Sequence, residues 1–514
     1  YECQALRRLP EFQLENDDTS ALRVLVRILA YHAMESQQVT PGASAETSSA
    51  ASAPLAMRYK DSSFAHVEAL EHHLDAVGKD AKHAVKQVAR AVAKLFPTGS
   101  LQLSTSAIVK LFFAIQSNAH AMVDDRSSSI RGLGLFPLAS MLNHSCIPNV
   151  ALCFSFGTEH NVPVLTFRAL RNISAGEELC YSYVDLYQTT AQRRHMLQAA
   201  YHFTCGCVRC TATDALHAAL QQGSTMASME DKAAKATAEH DAPIGGARCL
   251  NDNGQCCGAV EVYCGGDDEL HGVCLSCSAQ ICDGAQLYSK AVLATTRLEA
   301  ATAVAMNAVS AVDIARAGAH NELARHLTQL KEEVNAAGSV LHGQHQAMFR
   351  AHRTMADMCK LCADSAQAHP SCCSDHELVA LVQDGLASLV QVAECCDERP
   401  ATSISRTAAE LCLELSKGIA RWLQLAPSKG TRDDVLDAAL DRAHVTHAHV
   451  GGAAAGAVED HQPLSPVVRG CLNRAVEVRQ VLVAHTIPVA VLLTAWGECA
   501  GYTRQLVVVK PPAP

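Results

Sequence analysis

The chain has 514 residues, more than one hydrophobic core supports, which predicts roughly three or four domains. Hydrophobic residues make up 49% and aromatic residues only 4%, so globular cores are possible and helix-rich packing is favoured over a large β-sandwich. The formal net charge of −10 disfavours a general nucleic-acid binder and suits a cationic partner, such as a lysine-bearing protein.

Hydropathy and cysteine usage bear on the compartment. No apolar run reaches the roughly 18 residues that a membrane helix needs. The longest candidate, residues 481–496, is interrupted by His485 and Pro488. The 23 cysteines are an odd number with several C-x-C and C-x-x-C spacings, which indicates metal ligation and free thiols rather than a disulfide framework. We therefore expect an intracellular protein.

The first part of the chain has a helical pattern that changes to a strand pattern. In residues 14–37, acidic residues and Thr19 precede an apolar periodic run, which is typical of a capped amphipathic helix. Residues 41–54 are small and polar, which predicts a loop, and a second helical tract covers about 66–96. From about 117 to 185, short runs such as VALCFSF and VPVLTFRAL, separated by Gly, Pro and Asn, predict strands.

The first cysteine cluster is YHFTCGCVRC, in which Cys205, Cys207 and Cys210 supply three thiols within six residues. Tetrahedral zinc needs four ligands, so a fourth must come from elsewhere. Cys146, in the segment SMLNHSCIPNV, is the obvious supplier. Three reduced cysteines without a metal are the alternative, but so tight a spacing favours zinc.

The second cysteine cluster follows an Ala/Lys-rich stretch. Cys249-x6-Cys256 and Cys274-x-x-Cys277, with glycine-rich turns between them, predict a structural zinc ribbon. The ligand set stays open, because three neighbouring cysteines could replace one of the four: Cys257 (next to Cys256), Cys264 and Cys282.

The second half of the chain, about 285–505, is mostly Ala/Leu-rich helical periodicity, and pairs of antiparallel helices are the simplest prediction. Residues 451–466 are a predicted linker. Cys359-x-x-Cys362 lies within this helical pattern, where positions i and i+3 share one face. We interpret these two as buried reduced thiols rather than as a metal site.

Three segments carry a family resemblance. They are GLGLFPLASMLNHSCIPNV (132–150), LTFRALRNISAGEELCYSYVDL (165–186) and RRHMLQAAYHFTCGCVRC (193–210). Together they resemble the catalytic half of SET-domain protein-lysine methyltransferases, in particular the SET-and-MYND class and its plant-type members. The resemblance is dense over 115–212 and looser over 14–37 and the helical C-terminal region.

The resemblance implies an α+β fold with a β-rich SET core, a helical insertion, a zinc-binding post-SET motif, a zinc-ribbon-like insert and an all-α, tetratricopeptide-like C-terminal domain. The implied domains are a remnant of the MYND finger (1–12), the helical insertion (13–115), the SET core (116–190), the post-SET zinc motif (191–212), the zinc-ribbon-like insert (246–284) and the helical domain (285–514).

The resemblance also places most of the MYND finger and the glycine-rich cofactor loop upstream of residue 1, with Cys3 as the finger's last ligand. We therefore expect this chain to lack that loop, to bind cofactor poorly and to turn over little. Truncation of a longer protein is favoured over a true loss, because the remaining motifs are well formed.

The implied activity is transfer of a methyl group from S-adenosylmethionine to lysine side chains of a histone or non-histone protein. Tyr183 would orient the lysine amine, with Tyr181 as a rival register, and Tyr201 would line the lysine channel. The residues implied to contact the cofactor are Asn118, Ser140, Asn143, His144, Tyr183 and Phe203, of which Asn118 and Ser140 match cofactor-binding or channel-lining positions less closely. Zinc at Cys146 and the first cluster would fix the lid that carries Tyr201 and Phe203.

His120 stands where animal relatives tend to have a channel-lining phenylalanine, which bears on the number of methyl groups accepted. The alternative to an enzyme is a non-catalytic zinc-and-helix scaffold. In either case partner proteins could bind the helical C-terminal domain, while membrane association and direct nucleic-acid binding are not expected. The implied location is the nucleus, the cytoplasm or both.

Overall fold

The computed structural model describes residues 2–8, 20–38, 64–123, 130–156, 163–223, 232–251, 256, 258–266, 268–281, 283–314, 316, 318–369, 372–374 and isolated positions from 377 to 395. The predicted loop at 41–54 and the predicted linker at 451–466 lie outside the described residues.

A helical layer forms the N-terminal part of the described chain. Its helices are α1 (Glu2–Arg8), α2 (Ser20–Gln38), α3 (Phe64–Glu68), α4 (Lys79–Ala93) and α5 (Thr105–Asn118). The predicted amphipathic helix is confirmed as α2, whose buried Leu22, Leu25, Val26 and Leu29 recur at helical spacing. They pack against buried residues of α4 and α5 in one hydrophobic core.

The helical tract expected over about 66–96 is helical, but it is divided into α3, a short 3-10 turn and α4. Glu71 accepts hydrogen bonds from the backbone N–H groups of His72 and His73, each at 3.0 Å, which closes a turn. His73 has a φ of 44°, and a short 3-10 turn follows before α4 begins after Gly78. A side chain that bonds nearby backbone donors in this way competes with a continuous helix.

Short strands follow α5, as expected from the strand-like residue pattern that begins at about residue 117. They are β1 (Ala119–Val123), β2 (Ile130–Leu135), β3 (Asn143–His144), β4 (Val150–Phe156), β5 (Pro163–Ala169) and β6 (Cys180–Tyr181). The run VALCFSF forms β4 and VPVLTFRAL contains β5, and these two strands pair antiparallel, as do β1 and β2. In contrast, β3 and β6 pair in parallel, which brings residues 143 and 180 together.

Three helices and a small sheet come next. The helices are α6 (Thr190–Tyr201), α7 (Val208–Gln221) and α8 (Lys232–Asp241), and the strands are β7 (Ala247–Arg248), β8 (Ala259–Cys264), β9 (Leu270–Cys274) and β10 (Gln280–Ile281). α6 begins with a capping box between Thr189 and Gln192. The four strands form one sheet in the order β10-β9-β8-β7.

Helices form the C-terminal part of the described chain: α9 (Gly284–Ala311), α10 (Ala319–Gly338) and α11 (Gln346–Ala368). The three pack on one another around a shared core. Cys359 and Cys362 lie buried in that core and form no disulfide, so their predicted burial is confirmed. That they hold no metal stays a prediction. Within the part of the chain that the structure describes, no helix has the length and apolarity needed to cross a membrane.

The C-terminal helices contact the β-rich region directly. The hydroxyl of Tyr187 donates to the carbonyl of Gln344 at 2.7 Å, and its ring stacks on Phe349 at 4.0 Å between centroids. The segment that follows β6 is therefore packed against the start of α11.

Candidate active site and metal centres

The parallel pairing of β3 with β6 builds the candidate active site. It sets Asn143 beside Cys180 and His144 beside Tyr181. Buried Asn149 holds the two segments together: its N–H donates to the Cys180 carbonyl at 3.1 Å, and its side-chain oxygen accepts from the Cys180 N–H at 2.8 Å. Residues that are 37 apart in sequence are thereby fixed side by side.

Tyr183 follows β6 and is held at both ends. Its backbone N–H donates to Nδ1 of His144 at 3.0 Å, and its hydroxyl donates to the carbonyl of Leu142 at 2.6 Å. Burial, with the neighbouring Tyr201, raises the pKa of Tyr183 to about 12, so its hydroxyl stays protonated at neutral pH. Because the proton is donated to Leu142, the phenolic oxygen keeps its acceptor capacity.

Tyr201 and Phe203 complete an aromatic group around Tyr183. The ring of Tyr201, the last residue of α6, lies 4.8 Å from that of Tyr183. His202 then takes a left-handed conformation, with φ 59°, which ends the helix. Phe203 packs 6.0 Å from His144 and 6.5 Å from Tyr183, measured between ring centroids.

The rival tyrosine, Tyr181, has a different partner. Its hydroxyl lies 3.0 Å from Nε2 of His120, and Phe167 packs 5.2 Å from its ring. Burial lowers the pKa of His120 and raises the pKa of Tyr181, so both are neutral at pH 7. The structure therefore distinguishes the two tyrosines by their hydrogen bonds: Tyr183 donates its N–H to the His144 ring, whereas the hydroxyl of Tyr181 pairs with His120.

The other predicted cofactor residues, Asn143, Ser140 and Asn118, differ in their hydrogen-bond partners. Asn143 is exposed, and its side-chain nitrogen donates to Glu178 at 2.6 Å. Ser140 donates to the carbonyl of Asn118 at 3.1 Å, and the Asn118 side chain donates to the carbonyls of Glu71 and Ala114. The cofactor roles of all three remain predictions, and in this structure the side chains of Ser140 and Asn118 bond to the protein's own backbone.

The structure brings the four predicted ligands of the first metal centre together. The sulfurs of Cys146, Cys205, Cys207 and Cys210, here the Cys146 cluster, all lie within 4.8 Å of one another. Cys146 Sγ lies 3.6 Å from Cys210 Sγ and 3.9 Å from Cys205 Sγ. A tetrahedron of sulfurs around zinc at about 2.3 Å has edges of about 3.8 Å, whereas a disulfide is about 2.05 Å. The spacing fits a four-coordinate metal.

A second group of four sulfurs meets at the ends of the small sheet: Cys249, Cys256, Cys274 and Cys277, here the Cys249 cluster. Cys249 and Cys277 are 3.8 Å apart and Cys256 and Cys274 are 3.6 Å apart, sulfur to sulfur. Cys256 takes the position that the sequence left open. Cys264 is exposed and lies outside the cluster, while Cys257 and Cys282 lie outside the described residues.

Sequence reasoning missed the charged residues behind the Cys146 cluster. Arg193 is fully buried, and its Nη2 lies 3.8 Å from Cys210 Sγ and 3.2 Å from a carboxylate oxygen of Asp241. Arg209 bonds the same carboxylate at 2.8 Å. The double arginine of RRHMLQAAYH was a visible signal, but its partner lies 48 residues further on, where no local pattern points to it.

Comparison with known proteins finds one matching family and several similar methyltransferases. The SET domain family matches residues 29–184. Histone-lysine N-methyltransferase ASHR1 of Arabidopsis thaliana is 30% identical over 210 residues, 41% of this chain and 38% of that protein. Mouse (Mus musculus) histone-lysine N-methyltransferase Smyd1 is 30% identical over 151 residues, 28% and 31% of the respective chains. Human (Homo sapiens) histone-lysine N-methyltransferase SMYD3 is 45% identical over 83 residues, 16% and 18%.

The matched region carries part of the candidate active site, while Tyr201 and Phe203 lie beyond its end. The chain spans about a third of the length of the first two of these relatives. The matched residues 29–184 include β3, β6 and Tyr183, and thus the strand pairing on which the site depends. The chain therefore contains a region that matches the SET domain family, and parts of it are similar to lysine methyltransferases of the SET-and-MYND class.

Proposed function

We propose that the protein transfers methyl groups from S-adenosylmethionine to lysine side chains of a protein substrate. The observation that carries this proposal is the position of Tyr183, whose protonated hydroxyl lies in an aromatic group beside the Asn143–His144 strand. The names of the similar proteins, histone-lysine and N-lysine methyltransferases, support the same reaction and make histone and non-histone proteins equally good candidates.

The residues present fit an adenosyl cofactor. The exposed amide of Asn143 and the half-buried rings of His144 and Phe203 combine one polar group with aromatic surface, as small-molecule sites commonly do. Both ring nitrogens of His144 have protein partners, so we assign its contribution to the ring face or the backbone. When bound, the cofactor supplies an activated methyl group on a sulfonium.

The chain's own residues would orient the lysine amine and keep it neutral. Tyr181, Tyr183 and Tyr201 all have pKa values raised by burial, so the aromatic group is neutral. A desolvated neutral channel lowers the pKa of a lysine that enters it. The oxygen of Tyr183 can accept a hydrogen bond from the amine, which would direct the nitrogen lone pair toward the methyl group, so positioning supplies most of the rate gain.

We also propose that both cysteine clusters hold structural Zn²⁺. Four thiolates saturate a tetrahedral ion, so neither cluster leaves a position for a substrate. The finer assignments belong to the same proposal: the domain boundaries given above, a tetratricopeptide-like C-terminal domain that binds partner proteins, and a location in the nucleus, the cytoplasm or both.

Two measurements test the activity: calorimetric titration of the product, S-adenosylhomocysteine, and a methyl-transfer assay on histones and other lysine-bearing proteins. Both use the full-length protein, by which we mean this chain with the upstream segment that the resemblance implies restored. Tyr183→Phe should keep product binding within a few-fold and lower kcat by about 100-fold or more, because an orienting group is lost. Tyr288→Phe, on the exposed surface of α9, is the matched control and should change neither. Absence of product binding by the full-length protein would refute the methyltransferase and leave the scaffold.

A further inference from the structure

The imidazole of His144 lies between the Cys146 cluster and Tyr183, with a partner at each nitrogen. The backbone N–H of Tyr183 is 3.0 Å from Nδ1, and Sγ of Cys146 is 3.3 Å from Nε2. A backbone N–H can only donate, so Nδ1 must be the acceptor and carries no proton. In a neutral imidazole the single proton is then on Nε2.

This tautomer directs Nε2–H at the sulfur of Cys146. A metal-bound cysteine is a thiolate, which accepts hydrogen bonds and whose position is fixed by the metal. Cys146 Sγ lies at the 3.6 Å and 3.9 Å sulfur spacings that fit a tetrahedral ion. The hydrogen bond therefore joins a proposed metal ligand to the backbone of the proposed catalytic tyrosine through one ring.

Resting on the proposed function, we propose that His144 is a positioning residue that makes the placement of Tyr183 depend on metal occupancy of the Cys146 cluster. Tyr183 has two anchors, its N–H on His144 and its hydroxyl on the carbonyl of Leu142. When the metal leaves, Sγ of Cys146 is no longer fixed by a metal bond, and the hydrogen bond that orients the ring of His144 is weakened. Tyr183 then keeps only the anchor at Leu142.

Two substitutions of His144 each remove one of its two hydrogen bonds, to Tyr183 or to Cys146, and can keep the other. In His144→Asn, the amide oxygen can replace Nδ1 as acceptor for the Tyr183 N–H, but the donor to Cys146 is lost. In His144→Gln, the amide nitrogen can replace Nε2 as donor to Cys146, but the acceptor for Tyr183 is lost. His195→Gln, at an exposed position of α6, is the matched control.

The readouts are metal release to a chromogenic chelator and hydrogen exchange of the Tyr183 amide, resolved to single residues by mass spectrometry. In the unmodified full-length protein, chelation should speed exchange of this amide by about tenfold or more. His144→Asn should bind metal about 10-fold to 100-fold more weakly in competition with the chelator, the range for loss of a group that orients a metal ligand. His144→Gln should retain metal normally while its Tyr183 amide exchanges fast even with metal bound.

A third variant tests whether the effect belongs to this cluster. Cys277→Ser breaks the Cys249 cluster at an exposed ligand and should leave exchange at Tyr183 unchanged. A Tyr183 amide equally protected in His144→Gln, or normal metal retention in His144→Asn, would overturn the proposal. If the histidine variants do not fold, a Tyr183 amide that is insensitive to chelation in the unmodified protein overturns it too. Neither readout requires turnover, so a failure here is distinct from a failure of the methyltransferase proposal.

Discussion

Tyr181 and Tyr183 have the same side chain and are two positions apart, yet their surroundings give them different capacities. Tyr181 shares its hydrogen bond with a histidine that burial keeps neutral, whereas Tyr183 donates to a backbone carbonyl that cannot return a proton. The oxygen of Tyr183 is therefore always free to accept, while that of Tyr181 depends on the tautomer of His120. At the scale of single residues, this difference favours Tyr183 as the group that orients an amine.

The hydrogen bond between Tyr181 and His120 should be costly to break from one side. Tyr181→Phe leaves Nε2 of a histidine that is only 7% exposed without a partner, and we expect a loss of about 1–3 kcal/mol in the free energy of unfolding. The double variant Tyr181→Phe with His120→Phe removes both polar groups and should be more stable than the sum of the single effects predicts. Urea unfolding of the four proteins measures this coupling, and strictly additive losses would contradict it.

At the scale of elements, one carboxylate joins three helices behind the Cys146 cluster. Asp241, at the end of α8, bonds Arg193 of α6 and Arg209 of α7, and Arg193 also reaches Cys210 Sγ. Both arginines are buried, so each needs the carboxylate to compensate its charge. The position of α6, and with it Tyr201, depends on this ion-pair network.

Asp241→Asn should cost about 3–5 kcal/mol in the free energy of unfolding, because it leaves two buried cations without a counter-ion. Asp214→Asn weakens an exposed ion pair, in which Arg194 donates two hydrogen bonds of 2.7 Å to Asp214. It should lower the free energy of unfolding by less than about 1 kcal/mol. Chemical denaturation of the two variants against the unmodified protein makes the comparison. Equal costs would show that the buried network has no special role.

The cysteine clusters predict a metal stoichiometry of about two Zn²⁺ per chain, one for each set of four ligands. Elemental analysis of the purified protein should find one equivalent fewer in Cys146→Ser and one fewer in Cys277→Ser. Cys264→Ser, at an exposed cysteine outside both clusters, should keep both equivalents. Loss of metal in Cys264→Ser would mean that the second ligand set is not the one described.

At the scale of the whole molecule, the features predicted best from the sequence are those that a regular spacing of residues encodes. The spacing of cysteines identified both clusters, and a change from a helical to a strand-like residue pattern identified β4 and β5. Contacts between distant segments were predictable where a metal needs a missing ligand, as for Cys146, but not where no motif marks the partner, as for Asp241 and Arg193. The break at Glu71 was also missed, since a single side chain bonding two backbone amides overrides the helical periodicity around it.

The C-terminal helices introduce a dependence of stability on pH that is separate from the active site. His352 is buried in α11, and burial lowers its pKa from 6.5 to about 4. Burial likewise lowers the pKa of His345 to about 4, and Nδ1 of His345 accepts the N–H of Ala347 at the start of α11. Above pH 6.5 both rings are neutral in the folded and unfolded chains. Between pH 6.5 and about 4 the unfolded chain binds protons that the folded chain does not, so stability falls.

For His352 alone, these pKa values imply a loss of about 2 kcal/mol in the free energy of unfolding between pH 8 and pH 5. His352→Leu should abolish that share, so its stability should fall by about 2 kcal/mol less than that of the unmodified protein over the same interval. Met355→Leu changes a buried, non-titrating side chain of the same helix and should keep the full pH dependence. Because acid also releases metal from thiolates, the decisive quantity is the difference between the variants, measured by urea unfolding at both pH values. An identical fall in His352→Leu and Met355→Leu would mean that His352 takes up its proton in the folded chain as easily as in the unfolded one.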